Sequence, residues 1–321
     1  MAGQRVRVQE REGMDEEWAE LVHKADNGTL FHRPRFLRYH PGSRFDGRYL
    51  KLYHKGACKA LFSYHVIDGR AVSPFGASFG GIVHRNDLPV RYIDEIVNEL
   101  VNWLSERYPA TYITPTPTVY LEKHQEASEF CLLRNGFELE AAEMIQVIDL
   151  DQFESDPFER FTESRRRNVR KAKKEDVRLV EDSPRLKTYY DLLSTTLERH
   201  ETTPTHTLEE LVDLRERFPD RFRLDVALVD DEVIGGIYYF VVNDRVINSF
   251  YIAHKQEYSR KNPISYLVYE GIKTAKQDGF SYYNLGASSH DLDIKNPGIA
   301  RFKSGFGTCV ALRKRFLLES A

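Results

Sequence analysis

Cysteine is scarce: Cys58, Cys131 and Cys309 are the only three in 321 residues, scattered and without a C-x-x-C spacing. That argues against a disulfide framework or a zinc site and fits a reducing cytosol. Long hydrophobic runs are missing too, since nothing approaches the roughly 18 apolar residues a membrane helix needs. The first stretch, MAGQRVRVQEREGMDEEW, is charged throughout. A cytoplasmic protein with no membrane span is expected. Nor is there an excess of charge of one sign. With a formal net charge of −3, affinity for a polyanion has to come from a local cluster. What is present is globular material, 41% hydrophobic and 12% aromatic, enough to fill real cores. The length favours two domains.

An internal repeat organises the chain. LYHKGACKALFSYHVIDGRAVSPF (Leu52 to Phe75) aligns without a gap on ALVDDEVIGGIYYFVVNDRVINSF (Ala227 to Phe250), so that Tyr64 meets Tyr239, Val66 meets Val241 and Phe75 meets Phe250. Each copy reads as three strands joined by tight turns, with HKGA, IDGR, VDDE and VNDR supplying residues that tolerate positive φ. A helix-period segment follows each copy: VRYIDEIVNELVNWLSERY, with Ile93, Ile96, Val97, Leu100, Val101 and Leu104 on one face, and PISYLVYEGIKTAKQDG, which Pro263 can open and Gly279 close. Short strands, TYITPTP and SYYNLGAS, come next. Two β-β-β-α-β units mean duplication, with the boundary set near Asp151.

Among the residues that carry charge, Arg160 to Arg178 (RFTESRRRNVRKAKKEDVR) hold three times as many basic as acidic residues. Such a run is either a solvated helix face resting on Val169, Ala172 and Val177 or a site for phosphates. Near the end of the chain, NPGIARFKSGFGT places Lys303 between Phe302 and Phe306 and beside Gly305 and Gly307. It is either a strand lysine with its ammonium in solvent or a charge held at a site. ERHETTPTHTLEEL contains His200 and His206, a spacing too loose for a metal centre, and Thr207 with Glu210 fits a helix capping box. No metal and no cofactor are expected. LFHRPRFLRYH gathers His32, Arg33 and Arg35, and FGASFGG allows close backbone approach.

The meander followed by helix and strand, together with LLRNGFE, resembles the GNAT acyltransferase fold. Two such units with the ending ARFKSGFGT and the basic segment resemble the Fem-like (FemAB-type) family of aminoacyl-tRNA-dependent transferases. The resemblance implies an α+β chain of two tandem GNAT-like domains, each a mixed, mostly antiparallel sheet flanked by helices. Residues 1–150 would form the acceptor side, and residues 151–321, opening with the basic helix, the donor and catalytic side. It implies an amide-forming aminoacyltransferase that moves an aminoacyl group from aminoacyl-tRNA to a small or peptidyl amine acceptor. That acceptor would be a peptidoglycan (cell-wall) precursor, a sugar or a peptide-antibiotic intermediate.

By the same resemblance, Lys303 stabilises developing charge with Phe302 packed beside it. Tyr239 and Tyr251 are catalytic candidates on the meander strands. His32, Arg33, Arg35, Tyr238 and His206 are candidates for acceptor binding. Arg165, Arg166, Arg167, Arg170, Lys171, Lys173 and Lys174 are candidates for tRNA phosphates. Acyl-CoA enzymes of the GNAT class carry Arg/Gln-x-x-Gly-x-Gly/Ala before their central helix, where glycines bring the pyrophosphate to backbone N–H groups. YSRKNPISYLVYEG and VHRNDLPVRYIDE lack it, which disfavours CoA. An acyl-CoA-dependent N-acyltransferase of polysaccharide synthesis remains the alternative of like chemistry, and a non-catalytic RNA- or nucleotide-sugar-binding module the alternative from another class.

Overall fold

The structure is a computed structural model that describes residues 6–42, 44–123, 126–199, 201–294 and 296–320; His200 lies outside them. In chain order the strands are β1 (Arg7–Arg11), β2 (Gly47–His54), β3 (Ala57–Ile67), β4 (Arg70–Ser73), β5 (Ile82–His84), β6 (Ala110–Ile113), β7 (Glu138–Asp149), β8 (Arg178–Val180), β9 (Phe222–Val229), β10 (Glu232–Val241), β11 (Val246–His254), β12 (Tyr282–Ala287) and β13 (Cys309–Glu319). The helices are α1 (Glu16–Lys24), α2 (Pro34–Leu37), α3 (Val90–Ser105), α4 (Ala127–Arg134), α5 (Glu163–Lys174), α6 (Leu186–Glu198), α7 (Leu208–Arg217), α8 (Pro263–Gln277) and α9 (Pro297–Ser304).

The chain divides into two compact units. The first holds the residues up to Met144, His290–Asp293 and the residues from Ala311; the second holds Ile145–Ser289 and Ile294–Val310. The division falls inside β7, and β13 contributes to both units.

In the first unit β2, β3 and β4 form an antiparallel meander edged by β1, with β5 also on β3; β4 pairs in parallel with β6, and β6 in turn pairs with the end of β13. In the second unit β9, β10 and β11 form the meander, edged by β8; β11 pairs in parallel with β12, and β12 pairs with the end of β7. Each unit is thus a mixed, mostly antiparallel sheet flanked by helices.

The duplication holds at the level of register. Ala71, Val72 and Ser73 pair with Thr111, Tyr112 and Ile113; the residues aligned with them, Val246, Ile247 and Asn248, pair with Tyr282, Tyr283 and Asn284. Three of the four expected turns are of the positive-φ kind; VNDR is not, since neither Asn243 nor Asp244 has a positive φ. Lys55 and Gly56 (φ 52° and 78°), Asp68 and Gly69 (49° and 72°) and Asp230 and Asp231 (48° and 66°) all take the left-handed conformation that two-residue hairpin turns require.

Each central helix buries its apolar stripe. Ile93, Ile96, Val97, Leu100 and Leu104 of α3 join Leu50, Phe62 and Ile113 in the first core. Leu267, Val268 and Ile272 of α8 join Ile237, Tyr239 and Tyr283 in the second. Pro263 occupies the first position of α8 and Gly279, at φ 85°, follows its end. At α7 the capping box forms as expected, with Glu210 N donating to Thr207 Oγ1 and Thr207 N to Glu210 Oε2.

Candidate active site

The second unit opens where β11 and β12 part. Their parallel pairing covers Val246–Asn248 against Tyr282–Asn284 and stops there, while β11 continues against β10 as far as His254. Past the last residue paired with β11, β12 turns at Gly286 (φ 80°), a conformation that favours glycine, and the carbonyls of Gly286 and Ala287 accept from a side chain.

Lys303 takes both carbonyls. It lies in the last turn of α9 rather than in a strand, in a helix that Pro297 opens and that Asn296 caps by accepting from Ile299 N. Its Nζ donates to Gly286 O at 3.1 Å and Ala287 O at 2.6 Å, and the residue is 7% exposed. A helix C-terminus favours a cation, but burial disfavours one, and the ammonium's pKa is pushed down to about 8. Among the described residues no carboxylate pairs with it. An ammonium has three donors, so one N–H is left for a substrate oxygen.

The neighbours of Lys303 in sequence form an aromatic cluster. Phe302 and Phe306 meet edge to face at 5.1 Å, and Phe161 meets Phe306 at 5.0 Å. The Arg165 guanidinium sits 4.5 Å from the Phe302 ring centre, with Nη1 3.4 Å from Ser265 Oγ in the first turn of α8. Burial lowers the pKa of Arg165. The two glycines beside Lys303 make room for α5 and for the residues before it. A Cβ on Gly305 would come within 2.8 Å of the Arg165 side chain, and one on Gly307 (φ 77°) within 2.9 Å of Arg160 O.

The three tyrosines expected at an open face are core residues. Tyr239 is fully buried under α8 and shares its hydroxyl with Tyr283 at 3.1 Å, while a Cβ on Gly271 would press on that hydroxyl at 2.4 Å. Its counterpart Tyr64 does the same with Tyr108 at 3.1 Å. Tyr238 donates to Leu211 O. Tyr251 accepts from His206 N and shares a bond of 2.8 Å with His206 Nδ1. Burial holds all three phenols well on the protonated side. His206, expected to line a pocket, is buried against Phe240, Phe250 and Tyr251.

In the first unit, His32, Arg33 and Arg35 lie at the entry into α2. His32 is buried, bonded through Nδ1 to Thr29, and kept neutral by a pKa pushed down to about 4. Arg33 is half-buried and Arg35 exposed.

The basic run forms α5, which rests on Val169 and Ala172. Several charges are engaged: Arg166 donates to Phe161 O, Arg170 pairs with Glu163 at 3.4 Å, Lys171 with Glu175 at 4.0 Å and Lys173 with Glu270 at 3.0 Å. Arg167 and Lys174 are exposed, with no carboxylate partner among the described residues. Sequence reasoning passed over Gln146, which holds Ser288, Ser304 and Thr308 around Lys303. The available signal was one amide in the apolar run MIQVI.

Among the described residues, no three His, Cys, Asp or Glu side chains gather as a metal site, and no helix is long and apolar enough to cross a membrane. Residues 159–304 match the family model described as an acetyltransferase (GNAT) domain. No curated protein matches the chain. Among solved structures, FemX superposes over 96% of both chains with a TM-score of 0.68 at 14% identity. L-PGS from Bacillus licheniformis covers 96% of this chain and 92% of its own at 0.62 and 12%. A tandem GNAT protein from the clavulanic acid biosynthesis pathway covers 99% of both at 0.56 and 9%. Over residues 159–304 the second unit is thus similar to a GNAT domain. The chain as a whole shares its fold with FemX and with that tandem GNAT protein.

Proposed function

We propose that the protein transfers an aminoacyl group from aminoacyl-tRNA to the amine of a small or peptidyl acceptor, forming an amide. The observation that carries this reading is the Lys303 ammonium, buried on two backbone carbonyls with one N–H to spare. In the reaction the acceptor nitrogen adds to the ester carbonyl, the new C–N bond forms, and the C–O bond to the ribose breaks. The proton lost by nitrogen leaves with the ribose oxygen. Ester and amine already supply electrophile and nucleophile, so the main help required is charge stabilisation at the carbonyl oxygen. The burial of Lys303 strengthens its pull on that oxygen.

The start of α8 supports the choice of donor. Pro263 lacks an N–H, Asn262 precedes it in a left-handed conformation, and no glycine lies in Gln256–Asn262 to bring a pyrophosphate close. The exposed side of α5 offers cations to an RNA backbone. A donor of this kind places the reaction in the cytoplasm.

The test is incubation with charged tRNA, or with acetyl-CoA, and a panel of peptidyl and amino-sugar amines, with ribonuclease as a control. An RNase-sensitive amide product is expected. Acyl-CoA is the second reading, favoured by the match to an acetyltransferase domain. Micromolar CoA binding by calorimetry, displaced by an acceptor that is acylated, would replace the first reading with the second.

A further inference from the structure

Gln146 is 2% exposed in β7. A buried carboxamide must find partners for two N–H donors and a carbonyl. Its Nε2 donates to Ser304 Oγ and Thr308 Oγ1, both at 2.9 Å, and its Oε1 accepts from Ser288 Oγ at 2.5 Å. These hydroxyls flank the lysine site on both sides. Ser304 follows Lys303 in α9, and Thr308 lies just past the turn that ends that helix. Ser288 follows Ala287, whose carbonyl accepts from Lys303 Nζ. Ser304 is itself oriented, since its hydroxyl donates to Ala300 O at 2.9 Å and so presents its oxygen to the amide.

Lysine cannot hold this geometry alone. Its stem is flexible and an ammonium bonds in any direction, while the carbonyls it bonds lie at the end of β12, 16 and 17 residues away in sequence. The planar amide joins the two segments at fixed separation.

We propose that Gln146 is the positioning residue of the Lys303 site, clamping the end of β12 to the end of α9 so that the ammonium stays seated on Gly286 O and Ala287 O. It touches no substrate and acts through Lys303. The catalytic consequence rests on the reading of Lys303 as charge stabiliser; the structural clamp does not.

The experiment compares Gln146→Met, Ser304→Ala and Lys303→Ala with the unaltered chain in two measurements. One is steady-state transfer from charged tRNA. The other is competitive acetylation of lysines by acetic anhydride over a pH series, read for Lys303 by mass spectrometry. Gln146→Met should lower kcat about tenfold or more, as a small misplacement does, with KM for charged tRNA unchanged. The pH at which Lys303 becomes reactive should rise toward that of an ordinary lysine, because solvent reaches the loosened ammonium. Ser304→Ala should shift both readings in the same direction by less, and it decides the matter should Gln146→Met fail to fold. A folded Gln146→Met with unchanged kcat and unchanged Lys303 titration overturns the clamp, as does an unfolded Gln146→Met together with an unaltered Ser304→Ala. Near-normal turnover in Lys303→Ala would instead overturn the charge-stabiliser reading, and the labelling result would still judge the clamp.

Discussion

The two units begin from the same strand register and finish it differently. In the first, Pro74 follows the last paired residue of β4, and proline cannot extend the ladder. The chain then loops through Phe75–Gly81 back onto the strand ends. Gly80 N donates to Thr114 O at 2.8 Å, and Gly81 N to Ser73 Oγ at 3.0 Å. In the second, Ser249 stands where Pro74 does, and β11 runs on to His254. The carbonyls of Gly286 and Ala287, at the positions aligned with Pro115 and Thr116, accept from an ammonium. Duplication thus gave two frames. One closes on its own backbone, and the other holds a buried cation. The helices before the meanders differ as well: α1 carries Glu16, Glu17 and Glu20, whereas α5 carries six Arg and Lys within Arg165–Lys173 and ends on Lys174.

The sharpest way to break this comparison is to remove the cation. Lys303→Ala should lower turnover about a hundredfold, the scale of losing one oxyanion donor, with tRNA affinity and folding nearly intact. Lys303→Arg should restore little, because a planar guanidinium does not fit the seat of a compact ammonium. Near-normal turnover of the alanine variant at saturating donor would reduce the two units to equivalent scaffolds.

The pH profile tests the same charge. Burial places the Lys303 pKa at about 8, so a rate that needs the ammonium should fall up to tenfold per pH unit above that value. The acceptor amine acts in the opposite sense, gaining nucleophile as pH rises. The falling limb should vanish in Lys303→Ala, and a limb that survives belongs to another group. Stability should move the other way. The folded pKa lies below the unfolded one, so the unfolded chain binds more protons between the two values. The burial penalty from Lys303 is therefore full at neutral pH and relieved as pH rises through that window.

Opposite charge on the opening helices predicts a smaller, salt-dependent difference. Changing Arg165, Arg166, Arg167, Arg170 and Lys171 to Ala should weaken tRNA binding and flatten its log-salt slope by somewhat under one unit per lost phosphate contact, roughly 0.7 to 0.9. Filter binding at several salt concentrations reads the slope. An unchanged slope makes α5 a solvated face, and changing Glu16, Glu17 and Glu20 should leave binding in place.

The smallest effect is one the two units should share. Tyr64→Phe and Tyr239→Phe each remove one hydroxyl of a tyrosine pair, part-buried for Tyr64 with Tyr108 and buried for Tyr239 with Tyr283. Each should cost about 1 kcal/mol in denaturant unfolding and leave kcat unchanged. A drop in kcat for Tyr239→Phe alone would return that residue to the reaction.

How much of this was legible depended on distance along the chain. The meander strands, the left-handed turns at Lys55, Gly56, Asp230 and Asp231, the stripe on α3, the capping box of α7 and the proline that opens α8 are written in residues a few positions apart. The same local code marked Lys303 and Phe302 as unusual. It misread the tyrosines, because alternation along a strand states that a side chain faces one side of the sheet without stating whether a helix covers that side. For Tyr239 that cover is α8 at Gly271.

What the sequence determined by itself is the duplicated frame, the stop at Pro74, the missing glycine loop before α8 and the basic character of α5. These follow from backbone preference, periodicity and composition, which each residue carries wherever it is placed. Tertiary structure alone decided that Lys303 ends a helix, buried on two carbonyls, that Gly305 and Gly307 make room for Arg165 and Arg160, and that Gln146 meets Ser304 from 158 residues away. Burial and partnership are properties of pairs, and the energies that set them exist only once distant segments have packed.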